Sequence, residues 1–145
     1  MNILVIDAQG GKIGKQIVSA IKETFPNANL TAVGTNGLAT SAMLKAGADQ
    51  GATGENAVIV GCRTADVIVG PIGIVIADAM RGEVTPAMAI AVGQSCAKRI
   101  LIPINHCNNF VVGVAAQSLG RQVQEVVAQI NAFANREDFN EYDTG

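Results

Sequence analysis

A chain of 145 residues with a formal net charge of −2 and no tryptophan has the length of one domain, too short for a cofactor domain plus a separate substrate domain. With no long basic run, it is a poor match for nucleic acid or for an anionic membrane surface. Only 3 % of residues are aromatic and 15 % charged, a balance that suits a parallel sheet buried on both faces and leaves apolar surface over for a homo-oligomer.

No basic segment precedes the first apolar run, so no signal peptide is read. The apolar stretch 67–80 is broken by Gly70, Pro71, Gly73 and Asp78, so no membrane span is expected. Cys62, Cys96 and Cys107 are odd in number and form no CxxC. That fits reduced thiols and a cytoplasmic location.

In chain order, Ile3-Leu4-Val5-Ile6 is a β-branched apolar run ending on Asp7. Gly10-Gly11 follows, and from Ile13 the apolar residues recur at helical spacing through Ile17 and Ile21, predicting a strand, a glycine turn and a helix over 12–24. A second strand is expected over 30–33, ending at Gly34. The turn Thr35-Asn36-Gly37 then leads into a helix over 38–45, with Gly47 as its cap. Residues 48–54 read as a polar loop and 55–63 as a short helix with Cys62 in the core.

A third strand, 67–69, ends at Gly70-Pro71-Ile72-Gly73, and 72–80 reads as an apolar helix. Thr85-Pro86 is an N-cap followed by proline at the first helical position, opening a helix over 86–97. A fourth strand is expected over 99–104. The connection from it to the apolar run 110–114 is too short for a crossover, so that last run reads as an antiparallel hairpin partner. Ser118 caps a final helix, about 119–134, whose inward stripe is Leu119, Val123, Val126, Val127 and Ile130.

The expectation is an α/β, three-layer, doubly wound Rossmann-like sheet of strand order 2-1-3-4-5, numbering those five strands as read, with the last antiparallel. Residues 1–134 form the one domain, and 135–145 an acidic tail expected to be disordered.

In such sheets ligands lie beyond the carboxyl ends of the strands, where the strand order reverses. The residues placed there are Asp7, Gln9, Gly10, Gly11, Lys12, Thr35, Asn36, Pro71, Gly73, Asn105, His106 and Cys107. A helix start offers unpaired backbone N–H groups and the positive end of the dipole to an anion. The dinucleotide fingerprint G-x-G-x-x-G is incomplete, since Gln9 stands at its first position when Gly11 and Gly14 are aligned. The glycines either hold a phosphate or let the helix pack closely on the sheet.

The acidic residue that holds a ribose hydroxyl in dinucleotide folds is replaced by Thr35 and Asn36. These two either bond a sugar or phosphate, or form an ordinary turn. The loop at Pro71 and Gly73 either shares an anion with the first turn or is a tight turn of its own. Asp7 either pins the glycine turn or faces the ligand, and Lys12 opposes the helix dipole unless an anion meets it. His106 and Cys107 are the nucleophile and base candidates. One His and three scattered Cys make no zinc pattern.

From Met1 to about Phe133 the chain resembles an uncharacterised family of short Rossmann-like proteins, catalogued as a domain of unknown function. The stretches that carry the resemblance are VIDAQGGKIGKQ, GTNGLATSAMLKAGAD, ADVIVGPIGIVIADAMRGEVTPAMA and ILIPIN-x-CNN. It implies a Rossmann-like domain and supplies no reaction and no residue roles. His106 falls at its variable position.

Three readings follow from the residues. One is a module that binds a nucleotide, a dinucleotide or another phosphorylated small molecule. The second is a small enzyme using Asp7, Cys107 or His106. The third is an oligomer-forming structural protein with no ligand.

Overall fold

The computed structural model of the protein describes residues 1–104 and 108–135. In chain order the elements are β1 (Asn2–Asp7), α1 (Lys12–Thr24), β2 (Asn29–Gly34), α2 (Gly37–Lys45), β3 (Gln50–Thr53), α3 (Glu55–Thr64), β4 (Val67–Pro71), α4 (Pro86–Gln94), β5 (Lys98–Ile102) and α5 (Leu119–Ala134). A single 3₁₀ turn, Ile72–Val75, follows β4.

The sheet has five strands in the order β3-β2-β1-β4-β5, and every neighbouring pair is parallel. The alternation within β1 explains the layering. Ile3 and Val5 join a core with Ile17 and Ile21 of α1 and with Val123, Val126 and Ile130 of α5. Leu4 and Ile6 join another core with Val58 of α3 and with Met88 and Val92 of α4. With helices on both faces, β1 is apolar on both sides, as parallel strands require. Each such aliphatic side chain contributes on the order of 1.5–3 kcal/mol on burial.

Three expectations are corrected. Residues 50–53, read as loop, form strand β3 and become the sheet edge next to β2. Their side chains are all exposed, so no apolar period marks them; backbone pairing with β2, with Thr40 Oγ1 of α2 bonding the Ala52 carbonyl and Thr53 Oγ1, makes the strand. The antiparallel strand expected over 110–114 is absent among the described residues, where 109–118 contains no strand. Once β5 leaves the sheet at Ile102, those residues run free of the ladder, so the order 2-1-3-4-5 with a reversed last strand gives way to 3-2-1-4-5, wholly parallel. The helix expected over 72–80 is only the 3₁₀ turn, because the chain enters left-handed backbone at Asp78 (φ 64), Met80 (φ 55) and Arg81 (φ 59), which no right-handed helix accommodates.

Helix α4 starts as read, with Thr85 Oγ1 accepting the Met88 N–H at 3.2 Å and Pro86 in the first turn, but stops at Gln94. Among the described residues no helix is long and apolar enough to cross a membrane. The acidic tail beyond Asn135 lies outside the described residues.

Candidate functional site

The carboxyl ends of β1 and β2 are tied by Thr35 N–H donating to the Asp7 carbonyl at 3.0 Å. The chain then turns at Gln9 (φ 52) and Gly11 (φ 71), with the Gly11 N–H closing onto the Ala8 carbonyl at 3.0 Å. Glycine is required at position 11 for two reasons. Its φ is left-handed, and a Cβ there would lie 2.9 Å from the Ala39 backbone of α2. The turn therefore brings the start of α1 against the start of α2.

Asp7 fastens this turn from below. It is 3 % exposed. Oδ1 accepts the Ala8 N–H at 2.8 Å and Oδ2 the Gly14 N–H at 2.6 Å. Burial raises its pKa, the Gly14 and Ala8 N–H groups oppose that, the Glu83 charge adds to it, and the net shift is upward. Through Oδ2 the carboxylate satisfies the Gly14 N–H in the first turn of α1, where backbone amides have no partner within the helix.

Above the turn sits a carboxylate that no local motif announces. Glu83 Oε1 accepts three donors: the Gln9 N–H at 3.0 Å, Thr35 Oγ1–H at 2.8 Å and Asn36 Nδ2–H at 2.6 Å. All three bonds fall on one oxygen, and Oε2 receives no hydrogen bond among the described residues. Partial burial works to raise the Glu83 pKa, but the bonds from Asn36, Gln9 and Thr35 carry it below its ordinary value.

Asn36 does three things at once. Its Oδ1 caps α2 by accepting the Ala39 N–H at 2.9 Å, and its Nδ2 donates to both the Gln9 carbonyl and Glu83.

The strap that delivers Glu83, residues 76–84, is folded on itself. The Asp78 N–H donates to the Val84 carbonyl at 2.8 Å, Val84 N–H to Ala79 at 3.2 Å and Gly82 N–H to Asp78 at 3.1 Å. Ala79, Met80 and Val84 are buried beside Ile6 and Ile74.

The structure thus brings Gln9, Thr35 and Asn36 onto one atom and places Asp7 beneath them. Gly10 and Lys12 are exposed on the same turn, and a Cβ on Gly10 would meet nothing within 4 Å. Pro71 ends the adjacent strand β4 and Gly73 lies in the 3₁₀ turn after it, and both are buried. A Cβ on Gly73 would lie 2.8 Å from Met80 Cε, and one on Gly70 2.5 Å from the Ile6 carbonyl oxygen, so these glycines accommodate packing. Asn105, His106 and Cys107 lie outside the described residues. Among the described residues no group of three or more His, Cys, Asp or Glu is arranged to hold a metal ion.

Sequence reasoning missed Glu83. It lies 48 residues beyond Thr35, and only the β4-to-α4 topology returns it to the end of β2.

Fold and site together define a doubly wound α/β protein with a polar cluster at the carboxyl ends of its central strands. The chain belongs to the family described as a domain of unknown function (DUF3842), whose profile matches residues 2–135. No curated protein matches the chain. Among solved structures it is similar to a dodecameric FMN-dependent UbiX-like decarboxylase from Escherichia coli O157:H7, at 15 % identity and a TM-score of 0.46 over 97 % of each chain.

Proposed function

We propose that the protein binds a nucleotide or a related phosphorylated sugar compound at the carboxyl ends of β1 and β2. The observation that carries this reading is Glu83. One of its oxygens is fixed by Gln9, Thr35 and Asn36 while the other is left to accept. In dinucleotide folds a carboxylate at the end of the second strand accepts a ribose hydroxyl. Here that carboxylate comes from the strap instead of from β2 itself.

A carboxylate held below its ordinary pKa is ionised at neutral pH and accepts hydroxyl donors strongly. The exposed Gly10–Lys12 side of the turn faces the phosphate, with Lys12 as its counterion. Lys12 makes no ion pair among the described residues.

Calorimetric titration and thermal unfolding with AMP, ADP, NAD and ribose 5-phosphate test the reading. A ligand at about 100 times its Kd stabilises the fold by about 2.7 kcal/mol. The 2′-deoxy analogue and the Glu83→Gln protein lose most of that gain. If all four ligands leave the unfolding transition where it was, the reading falls.

Self-association is part of the same proposal. Phe110, Val112 and Val114 are 87 %, 84 % and 48 % exposed, and β5 is an edge strand with one side unpaired in the sheet order. Light scattering that returns a strict monomer removes this part.

A further inference from the structure

Residues 108–120 contain no charged side chain, yet they run over the surface. Phe110 and Val112 are almost fully exposed. The chain turns at Gly113 (φ 82), which makes Phe110 and Val112 an apolar ridge leading into the turn. An exposed run of this kind marks a contact surface.

A hollow lies against the ridge. It is a cleft of about 510 Å³ between β5, α5 and residues 111–117. Ile100, Ile102 and Val126 supply apolar lining, and Gln117, Glu125 and Gln129 supply polar lining, a mixture found in protein–protein contacts. β5 is the last strand in the sheet order, so its outer edge is unpaired there.

Ridge and hollow belong to one face, and that selects the partner. Val111 and Gly113 already line the cleft, so the ridge borders its own hollow and does not fill it. A two-fold axis lets each of two copies place its ridge in the other's hollow, because an isologous contact uses the same patch twice. Any other partner would have to carry both features itself.

Charge agrees with that symmetry. Arg121 and Glu125 are four residues apart on the exposed side of α5, and neither makes an ion pair among the described residues. Two α5 helices meeting across a two-fold axis run antiparallel, which sets Arg121 against Glu125 of the partner subunit, twice in each contact.

We propose that the face made by residues 110–114, β5 and the first half of α5 is a two-fold interface with a second copy of this chain. Phe110 and Val112 of each subunit enter the cleft of the other. This rests on the self-association reading above, whose surface and symmetry it specifies, and it is independent of nucleotide binding.

Sedimentation velocity on the full chain tests it. The unaltered protein is expected to form an even-numbered assembly. Phe110→Ser with Val112→Ser is expected to weaken the contact about 100-fold or more with an unchanged circular dichroism spectrum, since both side chains are exposed within one subunit. Arg121→Glu is expected to weaken it about tenfold, and Arg121→Glu with Glu125→Arg to restore it. An odd-numbered assembly, or one that the serine substitutions leave intact, overturns the proposal while self-association stands. A monomer at every concentration overturns both and leaves the face to a different partner. Should the serine variant fail to fold, loss and recovery across the charge reversals decide alone.

Discussion

Glu83 Oε1 lies 2.6 Å from Nδ2 of Asn36, joining the strap before α4 to the turn before α2. Asn36 also caps α2 through Ala39. Asn36→Ala therefore removes a helix cap and a charge-assisted bond together, and is expected to cost about 2 kcal/mol in urea unfolding. Asn36→Asp keeps the capping oxygen but sets a second carboxylate against Glu83, so it is expected to remain destabilising and to raise the Glu83 pKa. A purely local cap would be restored by aspartate, and the two variants separate these roles.

The glycines of the first turn are not equivalent. A Cβ at Gly14 would lie 2.6 Å from Met43 Sδ and 2.8 Å from Asp7 Cβ, whereas at Gly10 it would meet nothing within 4 Å. Gly14→Ala is expected to destabilise by about 1–3 kcal/mol through overpacking. Gly10→Ala is expected to leave the unfolding midpoint unchanged while weakening any ligand that approaches the turn. Paired denaturation and titration of both variants check this.

Two carboxyls make opposite contributions to the pH dependence of stability. Asp7 is raised by burial above its ordinary 3.8, so it binds its proton more tightly in the folded chain. Its contribution is present below 3.8 and is lost as pH rises through the raised folded value. Glu83, despite the upward effect of its partial burial, is carried below its ordinary 4.5 by Asn36, Gln9 and Thr35. Its contribution is present above 4.5 and is lost as pH falls through the lowered folded value. Glu83→Gln is therefore expected to flatten the loss of stability below pH 4.5. It is also expected to let Asp7 titrate lower, because a neighbouring negative charge is gone. Unfolding across pH and carboxyl carbon NMR measure the two effects.

The two described thiols differ in burial. Cys62 is buried in α3 and burial pushes its thiol up to about 11, whereas Cys96 is exposed. Since the thiolate is the nucleophile, iodoacetamide at mildly alkaline pH is expected to modify Cys96 well before Cys62. Peptide mass mapping reads the order, and early labelling of Cys62 in folded protein would contradict the packing of α3 against β1.

The parts of this fold that were legible in the sequence are those with a strong period. β1, α1 and α5 were readable because Ile13, Ile17 and Ile21, or Val123, Val126 and Ile130, repeat along one face. β3 was not, because Gln50-Gly51-Ala52-Thr53 carries no apolar alternation and owes its conformation to pairing with β2. The run 72–80 reads as a helix from composition, but its apolar residues reflect burial of Ile74, Ala79 and Met80 and not a helical path. Asp78, Met80 and Arg81 are left-handed without being glycine, and nothing in their identities marks that. At the site, Gln9, Thr35 and Asn36 were accessible from local turn chemistry. Glu83 was not, because the partner of a turn residue is chosen by topology.

β1 precedes both of its sheet neighbours in the chain yet lies between them, paired with β2 on one side and β4 on the other. During synthesis it emerges before either. With only β2 available, the other edge of β1 stays open until residue 71 has cleared the ribosome, and Leu4 and Ile6 lack part of the layer that will cover them. The nascent chain is thus exposed to misassociation over that interval, a consequence of placing an early segment at the middle of a wholly parallel sheet.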